Sequence, residues 1–187
     1  LPLRRRKLSR TPLAIWGMVV AHFGIAVALL GMSSESAFTQ ERLAALEEGG
    51  RTSVGPWSIE LQGVEPIAGP NWTAMQARIA ARYDGGKASV LTPQARNFWA
   101  PPQQTTESAL LTRWNGQLYA VVGDRTPDGR WQLRLWWKPF VPLIWYGGLL
   151  VALGGVLALI GRVITDIRNR RLAVRIAERR ADREALA

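Results

Sequence analysis

The segment Pro12–Met32, PLAIWGMVVAHFGIAVALLGM, decides how the chain is organised because none of its residues carries a formal charge. An α-helix rises about 1.5 Å per residue, so about 20 apolar residues cross the hydrocarbon core of a bilayer. Thr11 can cap such a helix, and Pro12 suits its first position. His22 lies at the midpoint and is the only histidine in the chain. The segment therefore predicts a transmembrane helix with one ionisable group at mid-membrane.

A second uncharged segment covers residues 140–161 and predicts another transmembrane helix. Small residues recur every three or four positions in the first segment, at Gly17, Ala21, Gly24, Ala28 and Gly31, and every seven in the second, at Gly147, Gly154 and Gly161. Such stripes let another helix approach closely. His22 lies about 140° around the first helix from its stripe, so this helix has two faces to bury. A larger helical bundle would bury both.

The charge pattern predicts how the two helices cross the membrane. The net charge is +10, but residues 33–140 contain eleven basic and ten acidic groups and are nearly neutral. Residues 1–11 carry five basic groups and no acid, and residues 162–187 carry eight arginines against four acids. Positive charge concentrates on the cytoplasmic side of membrane proteins, so both termini are predicted to be cytoplasmic. The same pattern favours membrane topology over binding to nucleic acid, and the apolar run exceeds the core of a typical signal peptide.

The residues between the helices predict a β-rich domain over 33–139. Alternating apolar residues and turn signals indicate strands at 57–61, 74–83, 87–91, 96–99, 117–122 and 130–137. Residues 126–129 form the predicted turn of the last hairpin, and Trp131, Leu133, Leu135 and Trp137 then share a core face. Residues 35–48 fit either a short helix or an extended lead-in, and residues 106–114 are predicted as a helical turn. Aromatic residues near the second helix (Trp136, Trp137, Phe140, Trp145 and Tyr146) suit a membrane-interface belt, as does Trp16.

The composition excludes several kinds of chemistry. The chain contains no cysteine, so it has no disulfide, thiolate metal site or haem-attachment motif of its own. The serine and acidic residues lack a second histidine with which to form a catalytic constellation, so no catalytic residue is assigned. His22 remains as the candidate functional residue. It can act as an axial ligand to haem iron, as a structural hydrogen-bonding group or as part of a proton relay.

Several blocks of sequence resemble the C-terminal part of CcmF, the haem lyase family of bacterial cytochrome c maturation. These blocks are the histidine-bearing residues 16–24, the segment 69–74, and the longest match, which runs from Gly129 through the WWKPF sequence of residues 136–140 to Leu150. The resemblance covers about residues 12–161. The chain departs from the family at residues 103–107, QQTTE, where a methionine-proline-methionine sequence is more usual before Thr-Glu.

The resemblance implies an α+β membrane protein in which two transmembrane helices flank a β-rich periplasmic domain, as a fragment of a larger helical bundle. It implies the bacterial inner membrane and a membrane haem b, with His22 as one ligand to the iron and the second ligand outside this chain. The family transfers haem from the chaperone CcmE to apocytochrome c, which a CcmH-type subunit presents. Haem lyase activity would belong only to the full-length protein or complex, because the family's tryptophan-rich segment and its other haem-binding histidines lie upstream.

The resulting expectation divides the chain into a cytoplasmic segment (1–11), a first transmembrane helix (12–32), a periplasmic domain (33–139), a second transmembrane helix (140–161) and a cytoplasmic tail (162–187). The tail is predicted to be helical and either solvated or in contact with anionic lipid. Two alternatives carry no haem. One is a membrane-tethered periplasmic assembly module with a structural His22, and the other is a proton-coupled transporter subunit.

Overall fold

A computed structural model describes residues 11–185, with side chains up to residue 178. The predicted basic segment therefore lies outside the described residues except for Thr11, as do the last two residues of the tail. The described chain forms two compact units. The helix unit comprises the chain up to Leu29 and from Leu143 onward, and the β unit comprises Leu30–Pro142.

Two helices in the described residues are long and apolar enough to cross a membrane. Helix α1 spans Leu13–Phe38, and helix α2 spans Leu143–Ala185. Only 11% of the most apolar part of each is buried, unlike the core helix of a soluble protein. Helix α1 continues six residues beyond the predicted span. The arginines that follow residue 161 do not end α2, which confirms that the tail is helical as far as the structure describes it.

The β unit contains ten strands, each antiparallel to its neighbours. They are β1 (Gln40–Leu46), β2 (Arg51–Val54), β3 (Trp57–Ala68), β4 (Trp72–Tyr83), β5 (Ala88–Leu91), β6 (Gln94–Trp99), β7 (Pro102–Glu107), β8 (Ala109–Arg113), β9 (Gly116–Arg125) and β10 (Trp131–Pro139). One sheet has the order β1-β10-β9-β8. The other has the order β2-β3-β4-β6-β7, with β5 also paired to β4. The β-rich domain between two apolar helices is confirmed.

The core lies between the two sheets and is formed by alternate residues of the longer strands. Leu133 and Leu135 are buried and Trp131 packs against this core, as the alternation of β10 predicts. Trp137 belongs to an edge-to-face cluster with Trp57 and Tyr83, with ring centroids 5.2 to 6.3 Å apart. Burying such aromatic side chains contributes about 1.5–3 kcal/mol each, so this cluster is a main source of stability.

Two predictions for the β unit need correction. Residues 106–114 do not form a helical turn, because they belong to the end of β7, to β8 and to the turn after it. Strand β7 pairs with β6 and β8 pairs with β9, and these backbone hydrogen bonds outweigh the weak local pattern of an exposed edge. Residues 35–48 combine both alternatives, since α1 ends at Phe38 and β1 begins at Gln40.

The last turn of α1 is tied to the end of β10 within the β unit. The hydroxyl of buried Ser34 lies 2.7 Å from the carbonyl oxygen of Gly31 and 3.0 Å from that of Pro139. The ammonium of Lys138 donates a 2.6 Å hydrogen bond to Glu35. Six residues after Glu35, Glu41 on β1 accepts a hydrogen bond from Arg134 of β10, which holds the pKa of that carboxyl below its usual range. These contacts fix the start of β1 beside the end of β10.

Candidate functional site

The glycine stripes of α1 and α2 pack directly on each other. An added Cβ at Gly24 would lie 2.7 Å from the carbonyl oxygen of Gly147, and one at Gly154 would lie 2.5 Å from that of Gly17. Gly161 meets Ala14 in the same way. Such distances exclude any side chain larger than hydrogen, because the neighbouring atoms are backbone. The structure confirms that the glycine stripes are packing faces. The sequence did not predict that the stripe of α1 packs on the stripe of α2.

His22 lies off this packing face, as its position around the helix predicts. Its side chain is exposed in the structure, and its Nδ1 is 2.8 Å from the carbonyl oxygen of Met18, one turn earlier. A carbonyl oxygen can only accept a hydrogen bond, so Nδ1 must carry the proton. In the neutral imidazole, Nε2 then keeps its lone pair, which can bind a metal ion or accept a proton. A hydrogen bond from the other ring nitrogen orients most metal-binding histidines in the same way.

A groove of about 610 Å³ runs along the helix unit and includes His22. This volume lies within the range of about 300–1,000 Å³ that is usual for sites of small molecules and cofactors. The groove is mainly apolar, with a polar end formed by Arg162, Thr165 and Asp166. Its other lining residues are Pro12, Ala14, Gly17, Met18, Ala21, Gly154, Gly155 and Ala158.

The sequence analysis found His22 but missed the residues of α2 that share its groove. Gly155 follows the packing residue Gly154, and a Cβ built on it meets no atom within 4 Å. Each Gly-Gly pair of α2 thus has one glycine against α1 and one facing open space. Residues 155, 158, 162 and 165 follow helical spacing, and the paired glycines seven residues apart were the signal for this second face.

The site contains one strong metal ligand and no metal-binding cluster. Among residues 11–178, no group of three or more His, Cys, Asp or Glu side chains could hold a metal ion. Met18 also lines the groove, but it precedes His22 by one helical turn and lies on the same side of α1. The two side chains are therefore not placed to bind opposite sides of one metal ion. The arrangement suits a cofactor that takes one ligand from this chain.

The predicted aromatic belt is only partly correct. Trp137 is 5% exposed and belongs to the core of the β unit, so it cannot lie in a membrane interface. Trp136 lies on the outer face of its sheet, where its ring packs edge-on to Tyr119 and under the guanidinium of Arg134. Phe140, Trp145 and Tyr146 are exposed at the start of the second apolar region, as the belt requires.

These features define a class of protein in which two membrane-type helices flank a small β-sandwich and a groove between the helices presents one histidine. The family model described as the CcmF C-terminal beta-sandwich matches residues 37–139. The chain therefore belongs to the CcmF family of cytochrome c-type biogenesis proteins.

Individual relatives agree with this assignment. The cytochrome c-type biogenesis protein CycK of Bradyrhizobium diazoefficiens is 39% identical over 151 residues, and CcmF of Escherichia coli (strain K12) is 34% identical over 157 residues. These alignments cover 81% and 84% of this chain. A solved structure named cytochrome c haem lyase CcmF has a TM-score of 0.61 and 23% identity over 84% of this chain, and it shows the same fold. The chain spans 23% and 24% of the two relatives' lengths.

Proposed function

We propose that the full-length protein attaches haem to apocytochrome c and that His22 supplies one axial ligand to a haem b held in the helix unit. The observation that carries this proposal is the free Nε2 of His22 in a cofactor-sized groove. The names of the relatives support the same assignment, since they are cytochrome c-type biogenesis proteins and one matching structure is named a haem lyase.

The residues of the groove fit a haem. The apolar walls suit the macrocycle, and Gly155 leaves space beside α2 for its edge. Arg162 lies at the polar end, eight residues or about 12 Å along α2 from Gly154, which packs against Ala21 next to His22. Its guanidinium suits the carboxylates that a haem carries on one edge. His22 would hold the group from this chain, and a second histidine ligand would come from outside it, because the chain has a single histidine.

In this proposal the groove orients the cofactor and the protein positions its partners. A bound haem b would supply one-electron transfer, with a quinol as the proposed electron donor, and would so keep the haem that is being attached in the ferrous state. The Met18 carbonyl oxygen orients the His22 imidazole, and the apolar residues of the groove lie beside it. A CcmE-type chaperone would deliver the haem, and a CcmH-type subunit would present the reduced cysteines of apocytochrome c. The remainder of the haem lyase completes the site.

A substitution at Gly155 tests this function without disturbing the helix pair. Gly155→Leu places a side chain in the groove, where no atom lies within 4 Å of the added Cβ, so the contact between α1 and α2 remains. We expect the full-length protein to lose at least half of its haem and to attach less haem to c-type cytochromes. The measurements are the reduced absorption spectrum of the purified protein and haem staining of c-type cytochromes in cells that contain no other copy of the gene.

Gly148→Leu is the matched control, because it adds the same side chain to open space on α2 without lining the groove. We expect normal haem content and normal cytochrome maturation from this variant. If Gly155→Leu also retains its haem and its maturation activity, the groove does not hold the cofactor. If it loses haem while maturation continues, the haem at this site is unnecessary for attachment to apocytochrome c.

We also propose that both termini are cytoplasmic and that residues 33–139 are periplasmic, in the inner membrane of a bacterium. The excess of arginine and lysine outside the two apolar spans supports this orientation. Fusions at Ala100 to alkaline phosphatase, which is active only in the periplasm, should be active, and the same fusions at Ala187 should be inactive. Green fluorescent protein at the two sites should give the opposite result. An inactive phosphatase at Ala100 or an active one at Ala187 would reverse the assignment.

A further inference from the structure

The turn between β8 and β9 presents an unusually exposed tryptophan. Trp114 is 74% exposed, more than any other aromatic side chain among the described residues. The turn consists of Trp114 and Asn115 alone, since Arg113 pairs with Gly116 across the hairpin. An indole ring in contact with water forgoes the large hydrophobic stabilisation that burial provides. Its position at a tight turn, away from the core, leaves the ring available for contact with an apolar surface outside the β unit.

The turn is held firmly against the end of β10. The carbonyl oxygen of Asn115 accepts a 2.8 Å hydrogen bond from the backbone N–H of Phe140, and its side-chain amide donates a 2.8 Å bond to the hydroxyl of Tyr83. The guanidinium of Arg113 lies 4.4 Å from the centre of the Tyr83 ring. Tyr83 in turn belongs to the buried aromatic cluster. Trp114 is thus presented by an ordered part of the β unit.

The turn between β8 and β9 is bonded to Phe140, at the point where the chain leaves the β unit and continues into α2. Phe140 is 45% exposed and is followed three residues later by Leu143, the first residue of α2. Trp145 and Tyr146, in the first turn of α2, are also exposed. These residues mark the start of the apolar span, and aromatic side chains gather at this level in membrane proteins because their rings are apolar while their N–H or O–H groups remain hydrated.

We infer that Trp114 inserts into the polar–apolar interface of the phospholipid bilayer and anchors the β unit to the membrane surface. The guanidinium of Arg113, next to it in the chain, suits pairing with a lipid phosphate. The inference rests on α2 crossing the membrane, and it is independent of the proposed haem site. The sequence analysis missed this contact because it placed Trp114 in a helical turn.

The β unit provides a matched control at its other end. Trp99 is 53% exposed, and its backbone N–H donates to Asn71 at the turn that precedes β4. Strand β4 runs from this end, at Trp72, to Tyr83 at the end that holds Asn115. Twelve residues of extended strand cover about 36–40 Å, so the two exposed tryptophans lie at opposite ends of the same strand. Trp99 should therefore remain in water.

Spin labels at the two positions test the inference. The chain has no cysteine, so Trp114→Cys and Trp99→Cys give single labelling sites once any cysteine elsewhere in the full-length protein is replaced. In nanodiscs of phosphatidylcholine and phosphatidylglycerol, oxygen concentrates in lipid and a nickel chelate stays in water. We expect the ratio of oxygen to nickel accessibility to be at least about threefold higher at 114 than at 99, given the depth of an interfacial aromatic residue.

Equal accessibility to the nickel chelate at both positions would overturn the inference, and so would exclusion of both reagents from position 114, which would indicate contact with protein. A second measurement keeps the native side chains. Phospholipids brominated in their acyl chains should quench less tryptophan emission after Trp114→Phe, whereas Trp99→Phe should remove only unquenched emission. Neither measurement depends on bound haem, so failure of the haem proposal and failure of this one are distinguishable.

Discussion

Gly154→Leu is expected to separate α1 from α2 and to lower the stability of the protein substantially. The added Cβ would lie 2.5 Å from the carbonyl oxygen of Gly17 and 2.8 Å from the Cα of Ala21. Both neighbours are backbone atoms, so no side chain can rotate away and the helices themselves must move. Overpacking usually costs about 1–3 kcal/mol, and we expect this substitution to reach or exceed the upper value. Gly24→Leu should behave similarly, because its Cβ would lie 2.7 Å from the Gly147 carbonyl oxygen.

The measurements are the amount of full-length protein retained in membranes and its thermal stability in detergent. Gly148→Leu is again the control, since it makes the same chemical change on α2 where nothing lies within 4 Å. If Gly154→Leu and Gly148→Leu had the same stability as the unsubstituted protein, the glycine stripes would not form the contact. If both were equally unstable, apolar bulk on α2 would be harmful irrespective of the α1 contact.

The sequence predicted the elements of this fold better than their partners. Alternation in β10 and the turn at residues 126–129 identified the last hairpin, because a half-buried strand shows its period of two in the sequence. The period of the glycines likewise identified a packing face on each helix. The spacing of small residues shows which side of a helix is buried, but it does not show which element covers that side. The contact between the glycine stripes of α1 and α2 was therefore found only in the structure.

Sequence reasoning missed three strands: β2, which has only four residues, and β7 and β8, which lack a clear period of two. Strands β7 and β8 are short and largely exposed, and their residues do not alternate clearly between apolar and polar. Their conformation depends on pairing with β6 and β9, and a local sequence pattern does not record that pairing. Trp114 was consequently placed in a helical turn, and its exposure at the end of the β unit could not be predicted.

For the candidate site too, the sequence identified one residue but not its surroundings. A lone histidine in an uncharged segment is easily found, because an ionisable group in a membrane is costly and needs a partner. Its groove depends on which small residues of α2 remain uncovered after the helices pack. Gly154 and Gly155 are identical in the sequence, and only the packing of α1 against Gly154 distinguishes the two.

His22→Gln is expected to remove the membrane haem from the full-length protein while the protein continues to fold. A glutamine amide can still donate a hydrogen bond to the Met18 carbonyl oxygen, but it is a poor ligand to haem iron. Substitution of residues that only support a metal ligand commonly costs about 10–100-fold in affinity, so loss of the ligand itself should reduce haem occupancy by at least about tenfold. His22→Ala should have the same effect on haem. The measurement is the reduced absorption spectrum of the purified protein, normalised to its concentration.

Phe23→Leu is the control, because Phe23 is the adjacent exposed residue and does not line the groove. We expect normal haem content from it. The comparison of His22→Gln with His22→Ala then separates the roles of the histidine. If the His22→Gln variant kept a normal haem spectrum and normal cytochrome maturation while His22→Ala did not, a hydrogen bond at this position would be sufficient and His22 would not be an iron ligand. If both variants lost the haem and matured little cytochrome c at normal protein levels, the free Nε2 would be the group that the haem requires, since it is the one ligand atom that both substitutions remove while the helix pair stays intact.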